Sequence, residues 1–218
     1  VAYTDTEFFR LEARYLFASS WVFVAFAHDL SRVGDVAPIT VAGKPVLLVR
    51  SSQDRIRAFH NVCRHRNLKL VDQPGHCSGL ITCPYHRWSY DLEGQLRLAP
   101  YFGGEKTSLP DGFRLEDNGL EEISCTTFHD WIFVNLDAGA TSLGQQSGDL
   151  RKEILSYAPD LGDLTFAHRL TYQLKANWKA VLDNFLECYH CPVAHKDFCT
   201  LVEMDTYKVT THGIYSSH

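Results

Sequence analysis

Short runs of β-branched and aromatic residues, broken by turn signals, fill the chain from about residue 22 to 136: VAPITV, KPVLLVR, RIRAFHNV, GLITC, RWSYDL and CTTFHDWIFVNL. Strands of this length at this spacing predict a compact all-β domain of about 115 residues. The segments AGKP, SSQD and DLEGQL between them have turn chemistry. Ahead of this region Phe8, Leu11, Tyr15 and Leu16 recur at helical spacing behind Thr4 or Asp5 as a cap, which predicts an amphipathic helix within residues 1–21. Behind it, AGATSLGQQSGDL (138–150) is rich in small and polar residues and reads as a linker. A short helix near 149–157, a strand-like HRLTYQLK and a helix from about residue 177 follow. The expected organisation is an N-terminal helix (1–21), a β domain (22–137), a linker (138–150) and the beginning of a second domain (151–218).

The stretch ANWKAVLDNFLECYHCPVAH (176–195) carries Trp178, Val181, Leu182, Phe185, Leu186 and Tyr189 at the spacing of a helix buried on one face. At about 100° per residue, Asp183, Glu187 and His190 fall together on the opposite face. Pro192 disfavours helix at Cys191, so the helix is expected to end there, with His195 returning from the next turn. An ordinary solvated face mixes charges, but no basic residue lies between Asp183 and His190. Two histidines and a carboxylate with open positions form the ligand set of mononuclear non-haem Fe(II) enzymes that activate dioxygen. A Glu-x-x-His pair also suits half of a di-iron bundle site, but no second copy occurs on another helix.

At 218 residues, 45% hydrophobic and 22% charged, the composition is that of a soluble globular protein. A net charge of −5 argues against nucleic acid or an anionic membrane as the main partner. No apolar run reaches the ~18–20 residues of a membrane-spanning helix, and no signal peptide is visible. The start at Val1 leaves room for residues ahead of it. Seven scattered cysteines do not resemble a disulfide-stapled secreted domain. They point to a reducing cytoplasm, where a motif-like cysteine serves metal binding more readily than a disulfide.

That preference bears on two short hooks, Cys63-x-His65 and Cys83-x-x-His86. Two thiolates and two imidazoles on two loops suit either a tetrahedral structural zinc or a Rieske [2Fe–2S] cluster, in which two cysteines hold one iron and two histidines the other. Pro84, Tyr85 and Trp88 are expected to screen such a cluster from water, and Arg64 and Arg66 set positive charge beside it.

CRHR followed by CPYHRWSYDLEGQL resembles the cluster-binding signature of the Rieske non-haem iron oxygenases, α subunit. The resemblance implies an α+β chain: an all-β Rieske domain, an iron–sulfur β-sandwich, then the N-terminal part of a helix-grip catalytic domain of antiparallel sheet and helices. It implies that Cys63 and Cys83 hold one iron and that His65 and His86 hold the other through exposed imidazoles. Asn67 and Arg87 stand where the family usually has glycine, which puts the loop conformation in question.

NFLECYHCPVAH resembles the family's catalytic-iron motif. By that resemblance His190 and His195 are iron ligands, Glu187 is the bridging carboxylate between His86 of one subunit and His190 of the next, Asn184 lies near the iron, and Asp183 is a further supporting candidate. The third ligand is expected to be a carboxylate beyond residue 218, so the site is expected to be incomplete in this chain, with neither Asp197 nor Asp205 replacing it. Glutamate at 187 is more like the members that oxidise choline, betaine or carnitine than like ring-hydroxylating dioxygenases. Cys188 and Cys191 are read as packing residues, and Trp21, Trp131 and Tyr157 as core.

The function implied is a terminal oxygenase. A reductase or ferredoxin, drawing on NAD(P)H, supplies electrons through the [2Fe–2S] cluster to a mononuclear Fe(II), which uses O₂ to hydroxylate or demethylate a small aromatic or quaternary ammonium substrate. A homotrimer is implied, with no nucleic acid or membrane partner. A Rieske-type electron-transfer protein without oxygenase activity is the alternative, and a zinc-stabilised binding module a third.

Overall fold

The structure is a computed structural model describing residues 1–218. The chain divides into two compact units, Leu11–Ala140 and Thr141–His218, the latter joined by Val1–Arg10.

Helix α1 (Thr6–Tyr15) is capped by Asp5, whose Oδ1 accepts the Phe8 N–H at 2.9 Å. Ten strands follow in the first unit: β1 (Val22–Phe26), β2 (Asp35–Val41), β3 (Lys44–Ser52), β4 (Arg55–His60), β5 (Gly75–His76), β6 (Leu80–Thr82), β7 (Ser89–Asp91), β8 (Leu96–Leu98), β9 (Glu122–Phe128) and β10 (Trp131–Asn135). Seven make an antiparallel sheet in the order β1-β10-β9-β4-β3-β2-β5, and three make a second one, β6-β7-β8.

Strand β3 is central and buried on both faces, which is why KPVLLVR is a continuous apolar run rather than an alternating one. Val46 and Leu48 enter one core with Ala58, Ile123, Ile132 and Val134. Leu47 and Val49 enter another with Phe59, Ile81, Trp88 and Tyr90, shared by both sheets, and this second core contains Cys63 and Cys83. Each such aliphatic side chain contributes about 1.5–3 kcal/mol when fully buried. Between β2 and β3, Ala42 and Gly43 both take positive φ, 50° and 75°, as a two-residue hairpin turn demands.

In the second unit the stretch read as linker contains a helix, α2 (Leu143–Ser147), capped by Ser142. Helices α3 (Leu150–Tyr157), α4 (Trp178–Phe185), α5 (Cys191–Ala194) and α6 (Lys196–Cys199) follow, then a small hairpin, β11 (Thr210–Thr211) with β12 (Ser216–Ser217). Residues 1–10 are tied here by Tyr3, whose hydroxyl donates to Asp183 at 2.6 Å, and by the Lys179 ammonium over the Tyr3 and Phe8 rings. No helix is long and apolar enough to cross a membrane.

Four sequence expectations are corrected. HRLTYQLK forms no strand: Leu170, Tyr172 and Leu174 are exposed, and no neighbouring strand offers a ladder. The helix expected to reach Cys191 stops at Phe185, and Pro192 instead lies in the first turn of α5, where a missing N–H is tolerated. The apolar stripe of α4 exists, but Val181, Leu182, Phe185 and Leu186 are exposed rather than buried. Tyr157 likewise is no core residue, at 82% exposed, whereas Trp21 and Trp131 are half-buried.

Candidate metal centres

The two hooks of the first unit are one loop used twice. Cys63 N–H donates to Leu68 O and Asn67 N–H to Cys63 O, at 2.8 and 2.9 Å. Cys83 N–H donates to Trp88 O and Arg87 N–H to Cys83 O, at 2.8 and 3.1 Å. Asn67 and Arg87 are therefore equivalent, and both adopt positive φ, 55° and 61°. The left-handed angle that glycine reaches freely is kept at both positions. Asparagine tolerates it through local hydrogen bonding, while arginine bears the steric cost in full.

Both cysteines are buried. Burial pushes the Cys83 thiol up and Cys63 beside it adds to this, while the Tyr85 and His86 N–H groups bound to its sulfur act in the opposite direction. The His65 and His86 rings lie 4.5 Å apart, centroid to centroid. His65 stacks on Trp88 at 4.7 Å and 9°, with Phe102 edge-on. Burial, then His86 and Arg66, lower its pKa. Its Nδ1 is buried without a hydrogen-bond partner. A buried polar atom normally has one, so this nitrogen fits a metal bond. Nowhere in the chain do three His, Cys, Asp or Glu side chains converge as a single ion would need. Two buried thiols and two facing imidazoles thus suit a two-iron cluster, with two protein ligands per iron, better than one zinc. Of the residues expected to screen the centre, Trp88 is buried at 2% exposure, whereas Pro84 and Tyr85 face solvent, the Tyr85 ring lying 3.7 Å from that of His86.

Two residues here escaped the sequence reading. Tyr90 is fully buried, its hydroxyl 3.3 Å from Cys63 Sγ and accepting the Arg64 N–H at 3.0 Å. Burial, then the bond to Cys63, raises its pKa far above the ordinary phenol value. Two-residue alternation from Trp88 is the signal that could have found it. Asn61, also fully buried, accepts the Leu70 and Val71 N–H groups and donates to Val71 O, holding the return of the first loop.

In the second unit a cavity of about 830 Å³ is lined by Asn184, Glu187, His190, His195, Asp197 and His218, among others. The His190 and His195 rings stand 5.1 Å apart at 74°. Glu187 Oε1 hydrogen-bonds His190 Nδ1 at 2.5 Å, and Oε2 accepts the Tyr189 N–H. The His190 bond, reinforced by these neighbours, holds the Glu187 carboxyl below its usual range. Glu187 thus engages one nitrogen of His190 and leaves Nε2 for another partner. Asp183, expected on the same face, is instead bound to Tyr3, because the helix ends at Phe185 before Glu187 and His190. Asp197 lines the cavity but completes no three-residue metal set. Cys188 and Cys191 are not merely packing residues: they are disulfide-bonded, their Cα atoms 5.0 Å apart across the turn before α5.

The Rieske [2Fe-2S] domain family matches residues 20–110, and the catalytic domain of the ring hydroxylating alpha subunit matches residues 161–216. This chain belongs to the Rieske non-haem iron oxygenases. Among curated Rieske oxygenases it is 37% identical to the carnitine monooxygenase oxygenase subunit of Escherichia coli K12, over 97% of this chain and 55% of that protein. The glycine betaine monooxygenase oxygenase subunit of Chromohalobacter salexigens is 33% identical, over 93% of this chain and 44% of that protein. A crystal structure of a quaternary ammonium Rieske monooxygenase with L-carnitine matches with a TM-score of 0.84 and 32% identity, over 98% of this chain and 59% of that one. Naphthalene 1,2-dioxygenase with indole bound matches at 0.70 and 27%, over 92% and 45%. The chain spans about half the length of the Rieske oxygenases it matches.

Proposed function

We propose that this chain belongs to the terminal oxygenase of a multicomponent system acting on a small quaternary ammonium compound of the carnitine and betaine class. The carrying observation is the coexistence, in one chain, of the twin cysteine–histidine loops with an orphaned His65 Nδ1 and a separate cavity where Glu187 orients His190 opposite His195. The substrate class follows the relatives named for carnitine and glycine betaine, together with glutamate at position 187.

Cys63, Cys83, His65 and His86 hold the [2Fe–2S] cluster, and His190 and His195 hold the mononuclear iron, with the third ligand a carboxylate beyond residue 218. When bound, the cluster relays single electrons and the ferrous iron activates O₂. Trp88 and Phe102 wall His65 from water, and Tyr90 donates to the Cys63 sulfur. Glu187 fixes the His190 ring through Nδ1 and, in a homotrimer, reaches His86 of the adjacent subunit. Asn184 lies at the cavity wall and supports this site, whereas the Tyr3 contact gives Asp183 a structural role. The electrons come from NAD(P)H through a reductase or ferredoxin, and the setting is cytoplasmic.

The test is iron and acid-labile sulfide per chain on anaerobically purified protein, with EPR after dithionite. About two sulfides and three irons, with a reduced signal averaging near g 1.9, are expected. About two irons and two sulfides would leave the second centre without its metal, and zinc without sulfide would overturn the proposal.

A further inference from the structure

Beside the cavity of His190 and His195 lies a second one of about 590 Å³, a size within the ~300–1,000 Å³ range of small-molecule sites. Phe198, Tyr207 and His218 line both cavities, and the Tyr207 hydroxyl is hydrogen-bonded to His218 Nδ1 at 2.6 Å, so these side chains are a shared wall. The rest of the second cavity comes from α3, the β11–β12 hairpin and the segment between Val202 and Lys208. Glu153 and Tyr157, four residues apart, fall on one face of α3. Glu153 is tied to the hairpin region by the Tyr215 hydroxyl, which donates to it at 3.0 Å, and the Tyr215 ring stacks on His212 at 4.4 Å. Hydrogen bonds from Ser217 and then Tyr215 hold the Glu153 carboxyl below its usual range.

The lining combines three kinds of chemistry. Tyr157, Phe198 and Tyr207 supply aromatic rings, Glu153 and Glu203 supply negative charge, and Lys208 supplies positive charge. A quaternary ammonium group has no N–H to donate, so rings and carboxylates are what can hold it. A carboxylate, in turn, is held by an ammonium. No ion pair or side-chain hydrogen bond engages Glu203 or Lys208. Opposite charges in one cavity, unpaired with each other, are available to a ligand that carries both. We propose that the second cavity binds a zwitterionic quaternary ammonium compound, its cation against Glu203, Glu153 and the rings and its carboxylate against Lys208. The ligand is thereby held across the shared wall from His190 and His195. This site rests on the substrate class proposed above and adds to it a requirement for the carboxylate end.

The test is equilibrium dialysis of the anaerobically purified, cluster-loaded chain against labelled L-carnitine, glycine betaine and tetramethylammonium, which has the cation without the carboxylate. Wild type, Glu203→Gln, Lys208→Met and His190→Ala are compared, with the cluster spectrum as a check on folding. Glu203→Gln should weaken all three ligands about five- to tenfold. Lys208→Met should weaken L-carnitine and glycine betaine to a similar extent and leave tetramethylammonium unchanged. His190→Ala should leave this pattern intact. Equal L-carnitine affinity in wild type, Glu203→Gln and Lys208→Met would overturn the site while upholding the substrate class. Loss of the Lys208-dependent binding in His190→Ala would also overturn it, by placing the ligand in the first cavity. Failure of wild type to bind any of the three would sink both the site and the substrate class. The expected pattern in a protein that carries zinc without sulfide would uphold the site and sink the oxygenase reading.

Discussion

Tyr90 Oη lies 3.3 Å from Cys63 Sγ, with both groups sealed in the core. A hydroxyl donating to a metal-bound thiolate favours the more negative, reduced state of the centre. Tyr90→Phe should therefore keep the cluster while lowering its reduction potential on the order of 50 mV. An EPR-monitored redox titration reads this directly, and an unchanged potential would exclude the role.

Arg87 holds a left-handed backbone angle at φ 61° without glycine's freedom. Arg87→Gly should stabilise the first unit by about 1 kcal/mol, because the steric cost removed exceeds the entropy added to the unfolded chain. Asn67→Gly should change stability less, since asparagine already tolerates the angle. Urea unfolding of the two variants side by side tests the ranking.

Asp35 joins β2 to β5. Burial alone would raise its pKa, but the Arg32 N–H at 2.8 Å and the His76 ring at 2.9 Å outweigh it, and the carboxyl sits below its ordinary value. A carboxyl depressed on folding gives stability that is complete above its unfolded value near pH 4 and is lost as pH falls through the lower folded value. Unfolding midpoints should thus drop on acidification below about pH 4 in the wild type. Asp35→Asn should be weaker at neutral pH and show a smaller acid-induced drop. Equal acid slopes would assign the loss to other carboxylates.

Glu187 accepts at both oxygens, from His190 and from Tyr189 N–H. Glu187→Gln preserves shape but removes the charge that favours a protonated Nδ1 on His190. The cluster spectrum should be unaffected, while iron affinity at His190 and His195 should fall about 10–100-fold. Metal analysis after mild chelation separates this from an effect confined to turnover.

The cysteine and histidine hooks were legible because their chemistry lies in residue type and spacing, which six-residue loops preserve whatever the fold around them. KPVLLVR was legible as a strand, and its burial on both faces explains why it does not alternate. The helix after residue 177 was over-extended because its apolar period continues through Tyr189, although the hydrogen-bonded turn ends at Phe185. HRLTYQLK has strand-like composition, but strand formation depends on a partner that local sequence does not reveal. The equivalence of Asn67 and Arg87 needed backbone hydrogen bonds, and the Cys188–Cys191 bond ran against an argument drawn from compartment alone.

Using one loop twice leaves the histidine's place as the main difference between the arms, two residues after the cysteine in one and three in the other. That single step gives the centre a back and a front. His65 is pressed against the indole of Trp88, while His86 sits beneath the outward-facing ring of Tyr85. A cluster held here would therefore meet an indole wall on one imidazole side and an outward-facing phenol ring on the other, an asymmetry that comes from a one-residue offset between otherwise matching pieces of backbone.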